Sequence, residues 1–235
     1  MAERQASALR EQFIAVLGHD LRNPLSAILS GMDIMALSPL DERQRLVAKV
    51  VKGSADRMSA LIDDVLDFAR GRLGDGMSLS RTPVRLGPIL MQVIDELRSS
   101  YSERQISADI NLPDAVDCDP GRLSQLLSNL VANALVHGSI TGPVTILAHC
   151  NDGALLLSVA NSGEPIPKAA LARLFQPFTR DEIRPCQQGL GLGLYIASEI
   201  ARAHGGQLAA KSNPNETLFT FEMPLTTPEF TGRPS

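Results

Sequence analysis

The stretch "FIAVLGHDLRNPLSAILSG", Phe13 to Gly31, places His19 beside Asp20, with Asn23 and Pro24 one turn further along an amphipathic pattern. His19 is two residues from both Leu17 and Leu21. At helical pitch it therefore points about 200° away from the apolar stripe and reaches solvent. A neutral imidazole there offers a nucleophilic nitrogen near pH 7. Asn23 shares its face one turn below, and Pro24 removes a backbone hydrogen bond and crowds the Asp20 carbonyl, which predicts a bend beneath the histidine.

A second group of chemistry-bearing residues lies in the other half. In "LLSNLVANALVHG", Asn129 and Asn133 are four apart and share one face of an otherwise apolar helix. Two amides are costly to bury without partners, and a divalent metal, its waters and phosphate oxygens would satisfy them. In "QGLGLGLYIASEIARAHGG", Gly189, Gly191 and Gly193 alternate just ahead of a helix. Backbone N–H groups left bare near a helix start make a cradle for phosphate. "VANSGEPIP" reads as a strand ending in a turn at Asn161 to Gly163. "LFQPF", Phe175 to Phe178, precedes a charged loop, "TRDEIRPCQQ", suited to a mobile lid.

The elements that must position these groups follow from periodicity. Leu17, Leu21, Leu25, Ile28, Met32 and Met35 make a helical stripe over about residues 6–36, which "LSPLDE" ends at Pro39. A second helix runs over about 41–72, with Val47, Val51, Ala55, Ile62, Leu66 and Ala69 as one seam and Val50, Met58, Leu61, Val65 and Phe68 widening it. A hairpin alone cannot cover so broad a face, so a second copy is expected, giving a homodimeric four-helix bundle. "GRLGDGMSLSRTP" reads as a linker. Beyond it, helices are expected at 86–101, 120–137, 168–174 and 194–204, and strands at 105–111, 144–151, 154–160, 206–212 and 217–223. With "NDG" and "NPNE" turns, these form an α+β sandwich: a mixed sheet with helices on one face. The expected domains are 1–73, the helical hairpin; 74–82, the linker; 83–225, the sandwich; and 226–235, a frayed tail.

Composition excludes several classes. The 235 residues carry 22 basic and 26 acidic side chains, a net charge of -4, which gives no reason to expect nucleic acid as the main partner. Cys118, Cys150 and Cys186 lack the spacing of a zinc site or disulfide framework, which fits a reducing cytoplasm. No apolar run approaches the roughly 18 residues of a membrane span, and the first residues are too polar for a signal peptide. This segment is expected to make no membrane contact, although a longer parent could be anchored.

In their order and distances these motifs resemble the H, N, G1, F and G2 boxes of sensor histidine kinases. The resemblance implies a dimerisation and phosphoacceptor hairpin followed by the GHKL-type (Bergerat) ATP-binding fold shared with gyrase, Hsp90 and MutL. It implies that His19 attacks the γ-phosphate of ATP, that Asp20 holds the other ring nitrogen or takes a proton, and that Asn23 orients a water that hydrolyses the phosphorylated partner. Asn133 would be the magnesium ligand and Asn129 would support the phosphates. His137, Asn161, Gly163, Ile166 and Phe178 would line the nucleotide site, and Gly189, Gly191, Gly193 and Leu194 would form the phosphate loop. A response regulator would receive the phosphoryl group on an aspartate.

Two positions depart from the family pattern. Asn161 stands where an aspartate usually accepts from the adenine amino group, which removes charge assistance of about 1 kcal/mol but leaves an acceptor. Val136 replaces a lysine or arginine that can approach phosphate, and Arg180 and Arg184 in the lid are the candidates to replace that charge. Both departures favour, as an alternative, a phosphatase-biased or degenerate kinase; the second alternative is a non-catalytic dimeric scaffold with a vestigial ATP fold, against which the intact asparagines and glycines speak. Of the other histidines, His137 ends its helix where imidazolium complements the dipole, and His204 marks a helix C-terminus.

Overall fold

The fold comes from a computed structural model, which describes residues 20–73, 77–179 and 190–225, the side chains of 70–73 excepted. The chain divides into two compact units, Met1–Met77 with Gln188–Leu192 and Ser78–Gln187 with Gly193–Ser235.

In the first unit, residues 20–36 are helical straight through Pro24 (α1), and α2 spans Glu42–Leu73. The turn at Pro39 ends in a reciprocal cap: Gln44 N–H donates to Asp41 Oδ1 at 2.7 Å, and Asp41 N–H to Gln44 Oε1 at 2.9 Å. That exchange satisfies two donors that a helix start leaves open. Two ion pairs record the antiparallel register, Arg22 with Asp63 and Asp33 with Lys52. Both are exposed and contribute little energy. Leu25, Ala55 and Leu66 are buried, at 3%, 4% and 2% exposure. Much of the expected seam is not covered: Val47, Val50, Val51, Met58 and Val65 are all exposed.

The second unit has α3 (Leu86–Ser100), α4 (Pro120–His137), the single turn α5 (Lys168–Leu171) and α6 (Gly193–Ala203). Its five-stranded sheet runs in the order β2 (Ile106–Asn111), β4 (Val144–Asn151), β5 (Ala154–Asn161), β7 (Thr217–Pro224), β6 (Gln207–Ser212). The β2–β4 pair is parallel and the others antiparallel, so the expected mixed sheet is found. Two strands absent from the sequence reading, β1 (Thr82–Val84) and β3 (Val116–Cys118), pair separately. Three residues are too few to show an alternating pattern.

Alternation assigns the sheet's inner face. Val144, Ile146 and Ala148 of β4, Leu155, Leu157 and Val159 of β5, and Phe219, Phe221 and Met223 of β7 are buried. Against that face pack α3 on β2, α4 on β4 and β5, and α6 on β6 and β7. The β4–β5 hairpin closes through Asp152 and Gly153, at φ 49° and 76°. Positive φ at both central residues is what an Asp-Gly turn supplies, with a twist that matches the strands.

Candidate functional site

Helix α4 is the spine of the site. Asp119 caps it, its Oδ1 accepting Arg122 N–H at 3.1 Å, and Pro120 occupies the first turn. Asn129, Asn133 and His137 follow at intervals of four, so each lies about 6 Å further along one face. Asn129 Nδ2 is buried and has no hydrogen-bond partner. A Cβ on Gly193, the first residue of α6, would stand 3.5 Å from Asn129 Oδ1. The last glycine of the alternation therefore lies against Asn129.

The C-terminal end of α4 is clasped to the turn after β5. Ser139 N–H donates to Ser162 O at 2.7 Å. A Cβ on Gly163 would meet Ser139 N at 3.3 Å, Gly138 Cα at 3.4 Å and His137 O at 3.5 Å, so the two backbones approach as closely as a glycine allows. Asn161, 7% exposed at the end of β5, donates from Nδ2 to Ser162 O at 3.1 Å. With one amide hydrogen engaged there, a second N–H and Oδ1 remain to meet a ligand.

Three supporting groups escaped the sequence reading. Arg104 donates from Nη1 to Leu135 O at 2.6 Å and from Nη2 to Ser139 O at 3.0 Å, holding the last turn of α4 and the loop beyond it. Thr217 is buried directly across from Asn161 in the β5–β7 register. It pairs with Ser212 Oγ at 2.7 Å, and that hydroxyl accepts Ile166 N–H at 2.9 Å. The Ile166 backbone is thus tied to the strand end below Asn161. "TLF" in a strand carries no signal that its threonine will be buried.

The remaining expected residues are placed as follows. Asp20 and Asn23 are exposed on α1, three residues apart on the same side of the helix. His137 is exposed at the end of α4, and Val136 beside it is 46% exposed. Phe178 is 56% exposed at φ 60°, an uncommon backbone for an aromatic residue. Gly191 adopts φ 69°, and Leu194 is half-buried in the first turn of α6. His19, Gly189, Arg180, Arg184 and Cys186 lie outside the described residues. Burial, helped by Asp117, pushes the Cys118 thiol up to about 11, and burial raises that of Cys150, so neither offers a thiolate nucleophile. Among the described residues no group of three or more His, Cys, Asp or Glu is arranged to hold a metal. No helix among them is long and apolar enough to cross a membrane.

Two family models match the chain: the His Kinase A (phospho-acceptor) domain over residues 9–74, and the histidine kinase-, DNA gyrase B- and HSP90-like ATPase over residues 118–227. His19 falls in the first, and the asparagine pair with the glycine alternation in the second. The bacteriophytochrome of Pseudomonas aeruginosa is 32% identical over 223 residues, covering 94% of this chain and 30% of that protein. The crystal structure of full-length ShkA in complex with AMPPNP superposes with a TM-score of 0.71 at 30% identity, covering 92% of this chain and 46% of that one. Histidine kinase ThkA, in complex with response regulator protein TrrA, superposes at 0.59 with 25% identity, covering 95% of this chain and 64% of that one. This chain thus spans less than a third of the curated relative and less than two thirds of either solved chain.

Proposed function

Because the chain belongs to the sensor histidine kinases, with a phospho-acceptor domain ahead of an ATPase domain, we propose that it binds Mg-ATP along α4, transfers the γ-phosphoryl group to His19 and passes it to a response-regulator aspartate. The carrying observation is the buried, unpartnered Nδ2 of Asn129 beside Gly193. An unsatisfied buried amide costs roughly 1–3 kcal/mol. The ligand-free fold bears that cost at the place where a phosphate oxygen would relieve it, so the residues fit the nucleotide.

ATP, when bound, supplies the phosphoryl group, and magnesium the charge that offsets its oxygens. Asn129 Nδ2 donates to a phosphate oxygen, and Asn133 Oδ1, one turn along, is the candidate magnesium ligand. Asn161 Oδ1 accepts from the adenine amino group, with His137, Gly163, Ile166 and Phe178 around it. Backbone at Gly189, Gly191, Gly193 and Leu194 serves the phosphates. At His19 a ring nitrogen's lone pair forms the N–P bond as the γ-phosphorus–oxygen bond breaks, its electron pair leaving on ADP. The imidazole proton passes to Asp20. Asn23 orients a water that attacks the regulator's aspartyl phosphate, breaking its P–O bond and releasing inorganic phosphate, a phosphatase output that Asn161 and the exposed Val136 favour.

The uncovered apolar face of α2 supports a homodimer. The ThkA complex with a response regulator supports that class of partner. The nucleotide reading is tested by calorimetric titration with ATP: binding should require magnesium and be lost in Asn133→Ala. Equal heats with and without the metal would refute Asn133 as its ligand.

A further inference from the structure

His204 caps the C-terminal end of α6, 1% exposed, and both ring nitrogens are engaged. Nδ1 lies 2.9 Å from Ile200 O, and Nε2 accepts the backbone N–H of Asp119 at 3.1 Å. A carbonyl can only accept, so the Ile200 contact requires Nδ1–H; an N–H can only donate, so the Asp119 contact requires a bare Nε2. The two bonds together demand one species, the neutral Nδ1–H imidazole.

The placement of these bonds matters more than their number. Asp119 is the residue that caps α4, and His204 the one that ends α6. Midway along α4, and at the opposite end of α6, Asn129 meets Gly193. From Asp119 to Asn129 is ten residues, about 15 Å, and from Gly193 to His204 eleven, about 16 Å. The helices are therefore antiparallel and tied at two points a matched distance apart. The far tie is polar and directional, and the near one is a bare glycine against an amide.

We propose that His204 is a positioning residue for nucleotide binding: its neutral imidazole sets the spacing of α4 and α6, and with it the fit of Gly193 and Asn129 around phosphate. This rests on the reading of those two helices as the nucleotide site. The charged groups facing the imidazole are Arg81 ahead of β1, Asp117 on β3 and Asp119 at the α4 cap. Arg81 already pairs with Asp117 at 3.1 Å, and Asp119 accepts Ser80 N–H at 2.9 Å as well as Arg122 N–H. Both carboxylates are thus already engaged by other donors. Burial first, then Arg81, hold the imidazole below the ordinary histidine range against the pull of both aspartates and the Ile200 carbonyl. Protonation removes the acceptor for Asp119 N–H, so the tie fails as pH falls below that range.

Two substitutions separate the bonds, since a glutamine oxygen reaches the Nε2 position and an asparagine amide only the Nδ1 position. With the full chain and Mg-ATP at about pH 8, His204→Gln should bind within about twofold of wild type, and His204→Asn about five- to tenfold more weakly, the equivalent of one hydrogen bond. As pH falls towards about 5.5, affinity should drop faster for wild type than for His204→Gln; taking their ratio at each pH cancels protonation of the triphosphate. In the ligand-free wild type, nitrogen-detected NMR should find His204 neutral with its proton on Nδ1. Should the asparagine variant not fold, that spectrum and the glutamine ratio decide the matter. Equal affinities for folded Gln and Asn variants, a flat ratio with pH, or an Nε2–H tautomer would overturn the proposal. Failure of wild type to bind Mg-ATP at about pH 8 would instead bring down the nucleotide reading, whatever the imidazole spectrum shows.

Discussion

Gly193 packs against Asn129, where a Cβ would make ordinary contact 3.5 Å from the asparagine's Oδ1, beside an amide nitrogen that is buried and unpartnered. Stability and binding should therefore move in opposite directions. Asn129→Ala removes an unsatisfied group, so the ligand-free melting free energy should hold or rise by up to about 1 kcal/mol, while ATP affinity falls at least tenfold. Gly193→Ala should likewise keep its stability, since a Cβ there would be in ordinary contact with Asn129 and alanine in a first helical turn costs nothing in propensity. A variant that lost stability and kept ATP affinity would show the pair to be ordinary packing.

Asn161 makes a related trade. Its Nδ2–H bond to the Ser162 carbonyl disappears in Asn161→Asp, which sets a carboxylate oxygen against that carbonyl in a nearly buried place. Ligand-free stability at neutral pH should fall by about 1–3 kcal/mol, and ATP affinity should rise severalfold through a charge-assisted bond to the adenine amino group. Calorimetry and a thermal melt on the same sample measure both. Unchanged affinity would remove Asn161 from base recognition.

The helical unit should have its own pH dependence. Burial first, then Asp67 and Asp63, raise the Asp64 carboxyl to about 6. A raised folded-state pKa favours the fold at low pH, and the benefit is lost as pH rises through about 6. The hairpin should therefore gain on the order of 1–2 kcal/mol between neutral pH and about pH 4.5, after allowance for solvent screening. Asp64→Asn should flatten this trend in urea titrations followed at several pH values. An equal slope in the variant would assign the effect elsewhere.

The exposed face of α2 carries the dimer prediction. Val50 is 60% exposed and Val47 52% in the single chain. A glutamate at Val50 would be buried unpaired in a four-helix bundle, so Val50→Glu should yield monomers in sedimentation at micromolar concentration, where wild type is dimeric. Monomeric wild type would contradict the bundle.

What the sequence disclosed follows from how far each signal reaches. The hairpin, α4 with its two asparagines and the alternation of β4, β5 and β7 were legible because periodicity is local, and the glycines because they announce a turn before a helix. Arg104 on Leu135 O and His204 on Asp119 N–H join residues 31 and 85 apart, and nothing in "ERQIS" or "AHGG" records the partner. His204 was read as a helix end, which it is, yet its burial and its second bond depend on where α4 starts. Thr217 and Ser212 were missed for the same reason: a hydroxyl in a strand looks alike whether it faces solvent or the end of a neighbouring strand.

The central claim is that His19 receives the γ-phosphoryl group, and radiolabelled ATP tests it most directly. Incubated with magnesium, the wild-type chain should acquire acid-labile, base-stable label, as a phosphoramidate does. His19→Gln should acquire none while still binding Mg-ATP. Label retained in His19→Gln, or no label in a wild type that binds Mg-ATP, would contradict the account.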